Sequence, residues 1–305
     1  MDYLIYLILK TLIYAGSILP FWLLHALSRV LYFAIYYVFD YRKKVVKSNL
    51  KRCFPEKSEA EIKAIEKEFY KHFCDLMVES LKSFTISEKE IKKRHKFLNP
   101  EVAQHFIDKG YNLSIMGPHY NNWEWLIFSL NFIQEPNNPK VLIMYAVLKN
   151  PYMEKLVKKS RSRMNSIMFP KAETSRKIIE YQDKQHFLCF AADQAPLNVY
   201  NSYWMEFMGQ ETGVFYGAEK ISKAKNYIPI YLHVRKTGRS YYEIEMEVIA
   251  ENPQDTEYGY ITERFMRLLE KDLHEAPAYW LWTHKRWKRP KPADFDEKRN
   301  ATAKD

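Results

Sequence analysis

The sequence predicts an α/β fold: a mostly parallel sheet flanked by helices, with an antiparallel hairpin and an N-terminal membrane-anchoring helical segment. Three observations carry this. From residue 111 to 194, short β-rich runs alternate with helical stretches, and strands separated by helices build parallel sheets. Residues 227–250 read as two alternating runs about a tight turn, the pattern of a hairpin. Residues 1–39 are almost wholly apolar or aromatic, interrupted by Lys10, Pro20, His25 and Arg29.

That first segment has no basic leader and no small-residue cleavage site, so it reads as retained. Its charge-free part, residues 11–28, is long enough to cross a bilayer core, which needs roughly 17–25 residues. Pro20 equally permits a helical hairpin or a half-inserted anchor. The collar "DYRKKVVKSNLKR" follows, with Arg42, Lys43, Lys44, Lys47, Lys51 and Arg52. Cations at such an exit stay on the cytoplasmic side and attract anionic head groups at about 1 kcal/mol each. Residues 1–40 are thus the expected anchor and residues 41–305 the body.

Ser58 and Glu61 form a capping-box pattern, and Ile62, Ile65, Phe69, Phe73, Leu76 and Val78 follow a helical period to about Leu81. A second helix is expected at "NPEVAQHF", with Asn99 as cap, Pro100 in the first turn and Gly110 beyond its end. Then come a strand "YNLSIM", a helix "NWEWLIFSLNF", a strand "KVLIMYAV" and a helix "NPYMEKLVKKSRSRM" capped by Asn150. They are followed by a strand "SIMFP", a helix "AETSRKIIEYQ" and a buried strand "HFLCFAA" that ends at Asp193. The hairpin is expected to edge the sheet, and a helix over residues 256–275 to precede "YWLWTHKRWKRP". Trp280, Trp282 and Trp287, set among cations, read as an interfacial belt, and His284 as a membrane-surface residue.

With 305 residues and a net charge of +10, the chain should attract something anionic. The cations collect beside apolar segments and no RNP-like or helix-turn-helix signature occurs, which favours a lipid surface over nucleic acid. Cys53, Cys74 and Cys189 are widely spaced, which predicts neither a disulfide framework nor a zinc site.

The motif "GPHYNNWEW" (residues 117–125) lies where a strand meets a helix, and reactive groups of α/β sheets gather at the carboxyl ends of strands. Residues five apart stand about 140° apart on a helix, so His119 and Glu124 converge only if His119 lies in the turn. Glu124 would then fix the tautomer of His119, leaving the other ring nitrogen as a general base. Backbone N–H groups near Asn121 and Asn122 would face a developing oxyanion. The motif is not H-E-x-x-H, so no metal is expected. Arg161 and Arg163, beside Lys158 and Lys159, suit a phosphate oxygen pair or simply complement a helix C-terminus. Asp193 ends a buried strand, where a turn cap is the plainer role. Tyr145 and Lys149 flank a strand exit and read as core or surface residues.

In order, "GPHYNNWEW", "LKNPYMEKLVKKSRSRM", "AADQAP", "FMGQETGVFYGAEKISK" and "WLWTHKRWKRP" resemble the lipid A biosynthesis acyltransferases, the late lauroyl and myristoyl transferase family. The resemblance implies a glycerolipid-acyltransferase-like fold at the bacterial inner membrane, with the catalytic body on the cytoplasmic face. It implies transfer of a fatty acyl chain from acyl carrier protein or coenzyme A to a hydroxyl of a lipid A precursor, with no metal or redox cofactor. It casts His119 and Glu124 as the catalytic pair, Arg161 and Arg163 as binders of phosphate or acceptor, and Asp193 as the acid of a strand-end motif. Partners would be acyl carrier protein, the glycolipid acceptor and anionic phospholipids, and not nucleic acid. Glu211, Val214, Lys285 and Trp287 depart from the family pattern, which leaves lysophospholipids or aminoacyl lipids as alternative acceptors. A basic, aromatic nucleic-acid or lipid-binding protein without catalysis is the competing reading.

Overall fold

A computed structural model describes residues 2–133 and 139–302. Its helices are α1 (Asp2–Ser17), α2 (Phe21–Phe33), α3 (Lys43–Cys53), α4 (Glu59–Lys82), α5 (Glu88–Arg94), α6 (Glu101–Asp108), α7 (Trp123–Ser129), α8 (Pro151–Arg161), α9 (Thr174–Glu180), α10 (Gly217–Lys225), α11 (Tyr260–Glu275) and α12 (Phe295–Thr302). The strands are β1 (His95–Phe97), β2 (Leu113–Met116), β3 (Lys140–Tyr145), β4 (Ile167–Pro170), β5 (His186–Phe190), β6 (Ser202–Phe207), β7 (Gln210–Phe215), β8 (Ile228–Gly238) and β9 (Tyr241–Val248).

Among the described residues, seven strands form one sheet in the order β1-β9-β8-β2-β5-β3-β4. Only the β8–β9 pairing is antiparallel. Strands β6 and β7 make a separate antiparallel hairpin. Side chains alternate across the sheet. On one face Met116, Leu142, Leu188 and Phe190 pack with Phe69, Phe265 and Leu269 from α4 and α11. On the other, Leu113, Ile115, Val141 and Phe187 pack with Phe106, Trp125 and Phe128 from α6 and α7. The parallel sheet covered on both faces is the architecture the alternating pattern predicts.

Where the sequence carried explicit capping chemistry, the ends match it. Ser58 Oγ accepts from the Glu61 N–H at 3.3 Å and the Ser58 N–H donates to the Glu61 carboxylate at 2.8 Å. Asn150 caps α8 through the N–H groups of Tyr152 and Met153. Asn99 differs: its side-chain amide accepts from and donates to the backbone of Met246 in β9. A side chain that acts as an extra sheet rung cannot also cap a helix, and Pro100 takes the N-cap position. The β8–β9 hairpin is also not the sheet's edge, because the three-residue β1 pairs outside β9.

The expected apolar span over residues 11–28 is not one helix. Pro20 lacks an N–H donor and its ring blocks a continuing helix, so α1 ends at Ser17 and α2 begins at Phe21. With a π-helical turn, Ala34–Val38, the second segment becomes long and apolar enough to cross a membrane, with 17% of it buried. It packs along α4. Cys53 and Cys74 are buried, Cys189 is half-buried, and all three are free thiols.

Candidate active site

Strands β2 and β5 pair in parallel with Met116 abreast of Phe190. Three residues beyond each strand end lie His119 and Asp193, so the register itself sets them side by side at the carboxyl edge. The Gly117 N–H continues the ladder onto the Phe190 carbonyl at 3.0 Å. His119 Nδ1 meets Asp193 Oδ1 at 2.7 Å, and the His119 backbone N–H donates to Oδ2 at 3.1 Å. One carboxylate thus holds both the ring and the main chain of the same residue.

A carboxylate only accepts, so Nδ1 carries the proton and Nε2 presents its lone pair. Among the described residues nothing bonds Nε2, and 18% of the His119 side chain is accessible. The Trp123 ring lies edge-on to the imidazole at a centroid distance of 5.3 Å. Burial lowers the imidazole pKa, but the carboxylates of Asp193 and Glu124 outweigh it and leave the value raised above 6.5. Burial likewise pushes the Asp193 carboxyl up, and the charge and hydrogen bonds of His119, joined by Trp280, reverse this and hold it at about 2.

Trp280 belongs to the chain's tail. Its indole N–H donates to Asp193 Oδ2 at 2.8 Å. The tail is laced to the motif by an antiparallel bridge: the Asn121 N–H bonds the Tyr279 carbonyl at 2.9 Å and the Leu281 N–H bonds the His119 carbonyl at 3.2 Å. Trp280 is 3% exposed and Trp282 is fully enclosed, so these tryptophans are core residues and not an interfacial belt. Trp287 is half-buried against Phe207, and His284 is half-buried too. Replacing Trp280 with Phe keeps the ring but removes a donor to a buried charge. This should lower unfolding free energy by about 2 kcal/mol in a urea titration, the scale of hydrogen bonds to charged groups.

Glu124 does not orient His119. As the second residue of α7, its carboxylate faces the end of α8, where Arg161 grips it with Nε at 3.1 Å and Nη2 at 2.6 Å. Register places Asp193, not Glu124, abreast of the ring. Glu124 still adds negative potential at His119. Arg161 Nη1 has no partner among the described residues, and 30% of its side chain is accessible.

The other expected contacts are structural. Arg163 donates to the carbonyls of Ser83 and Ile86, both at 2.8 Å, and clamps the turn between α4 and α5. Asn121 sits at φ 51°, its N–H is taken by Tyr279, and its amide donates to the Val234 carbonyl at 2.5 Å. That N–H is therefore not an oxyanion donor. Asn122 caps α7 through the Trp125 N–H at 3.0 Å and donates to Glu79 at 2.6 Å.

Glu79 was not a candidate in the sequence. Fully enclosed on α4, its carboxylate also accepts from Ser240 at 2.7 Å and Tyr242 at 2.9 Å, and burial pushes its pKa up to about 7. Only the charge within an otherwise apolar stretch of that helix hinted at it. Trp280 carried no signal that distinguishes a buried donor from a surface ring.

A basic ring nitrogen, locked by a buried aspartate at the carboxyl edge of a parallel sheet, is chemically able to accept a proton from a hydroxyl brought against it. Residues 2–289 match the family model described as bacterial lipid A biosynthesis acyltransferase, and the chain belongs to that family. A comparison with curated proteins returned no match.

Proposed function

We propose that this acyltransferase moves a fatty acyl group from a thioester, on acyl carrier protein or coenzyme A, to a hydroxyl of a lipid A precursor. It would act at the bacterial inner membrane, with its body on the cytoplasmic face. The observation that carries the chemistry is the unpartnered Nε2 of His119 behind an Nδ1–Asp193 bond of 2.7 Å. Nε2 takes the acceptor's hydroxyl proton as the oxygen attacks the thioester carbonyl. The C–S bond then breaks, and the imidazolium returns the proton to the leaving thiolate. Asp193 holds the tautomer and balances the imidazolium. Glu124 fixes Arg161, whose free Nη1 is left for an anionic oxygen of the donor or the acceptor.

The test is direct. Full-length protein with acyl carrier protein or coenzyme A thioesters should add one acyl ester to a lipid A precursor, read by mass spectrometry. Transfer only to lysophospholipids or aminoacyl lipids would give the acceptor role to those instead. The base works unprotonated, and its pKa is raised above 6.5. The kcat/KM profile should therefore climb with pH through a midpoint above 6.5 and flatten beyond it.

A further inference from the structure

Helix α2 shows one side to solvent and the other to the body, and α1 exposes Tyr3, Leu4, Ile5, Leu7, Ile8 and Leu9 around most of its first two turns. On α2, Trp22, Val30 and Phe33 fall within about 80° of arc and are all exposed, Trp22 at 71% and Phe33 at 61%, and Tyr37 of the following π-helical turn is exposed too. The opposite side is tied down by polar bonds. Ser28 Oγ donates to Asp75 at 2.6 Å, His25 Nε2 meets Ser240 Oγ at 2.8 Å, and the Tyr36 hydroxyl donates to Glu66 at 2.9 Å. Arg239 reaches the His25 carbonyl at 3.0 Å and pairs with Asp75 at 2.6 Å.

These ties run from residue 25 to residue 36, about 16 Å of helix against a hydrocarbon core of roughly 30 Å. Were α2 to cross a bilayer, Asp75, Arg239 and Glu66 would enter hydrocarbon with it, or the bonds would break. Both are costly for charged groups. Helix α1, at 16 residues, falls short of the roughly 20 a span needs. It too is fastened to the body: the Tyr6 ring stacks on Tyr152 of α8, and the Thr85 hydroxyl and Lys82 ammonium bond the carbonyls of Ser17 and Leu19.

We propose that α1 and α2 form a single in-plane docking face for an anionic phospholipid bilayer, with both ends of the pair on the same side of the membrane. Charge decides the occupant. Lys44, Lys47, Lys51 and Arg52 of α3 line a shallow basic groove directly after the apolar face, as a rim meeting lipid phosphates would. The same face meets α8 at Tyr152, beside the exposed Val147 and Leu148, and the last residue of α8 is Arg161. This rests on the membrane association proposed above and specifies its geometry.

Full-length Lys10→Cys and Asp40→Cys proteins, in spheroplasts, are treated with an impermeant maleimide, and labelling is compared with the parent chain and with the total thiol in SDS. Less than a tenth of either reporter reacting in intact spheroplasts supports the in-plane face. Labelling of most of the Lys10→Cys reporter in intact spheroplasts overturns it. In flotation with phosphatidylglycerol–phosphatidylcholine vesicles, the triple change Trp22→Glu, Val30→Glu, Phe33→Glu should weaken binding at least tenfold. Unchanged binding overturns the proposal. Turnover of that variant on detergent-dispersed substrate separates the two readings. Retained turnover with lost flotation supports the docking face, whereas a loss of both overturns the claim that this face only docks. Catalytic failure in the parent chain would strike the acyl-transfer reading instead.

Discussion

His119→Ala is expected to lower acyl transfer by roughly 10²- to 10⁴-fold, the contribution of a positioned general base. The protein should remain folded, because the ring is partly accessible and its polar contact is confined to Asp193. Removing it does leave Asp193 buried with only the His119 N–H and the Trp280 indole for partners. His119→Gln, whose amide can refill the donor position, separates that structural cost from the chemical one. Both variants should be equally inactive, with the glutamine form the more stable in urea. Wild-type turnover in either variant would remove His119 from the reaction.

Asp193→Asn should fall nearly as far. An asparagine offers one acceptor oxygen where the aspartate receives three hydrogen bonds, two of them on Oδ2. Its amide hydrogens must face a donor, at about 1–3 kcal/mol for each group left unsatisfied. The imidazole loses the nearest charge that favours its protonated form, so burial weighs more and the ascending limb of kcat/KM moves to lower pH than in the parent. Glu124→Gln should be milder in that midpoint and stronger in KM, because its carboxylate holds Arg161 and not the ring. The reverse ranking would return the orienting role to Glu124.

The same pair links stability to pH. His119 is raised from 6.5, so its contribution is full below 6.5 and fades as pH climbs through its folded value. Asp193 is lowered from 3.8 to about 2, so its contribution is full above 3.8 and fades as pH falls toward 2. Between those limits both act together. Urea midpoints of the parent should exceed those of Asp193→Asn most clearly in that window.

Much of the frame could be read in advance because its signals are local. The capping box, the alternating hairpin and the strand-to-helix position of "GPHYNNWEW" are each written in neighbouring residues. The contact between His119 and Asp193 is hidden from the sequence for the opposite reason. Glu124 is five residues away and visible in one window, while Asp193 is 74 residues away and reaches the ring through strand register. The tail failed similarly. A tryptophan close to a basic tail reads the same at a membrane surface as in a core, and the bridge to Tyr120, distant in sequence, tells them apart. Pro20 announced a break in the apolar segment, but which half would be the longer helix depended on packing along α4.

Trp280 grips an aspartate synthesised 87 residues before it. A nascent chain emerging from the ribosome would therefore hold its histidine and aspartate early, yet leave the carboxylate loosely seated until nearly everything had been translated. That seat would be finished late, as a closing stitch, and a message cut short before that codon would yield an almost complete polypeptide whose buried aspartate lacks its indole partner.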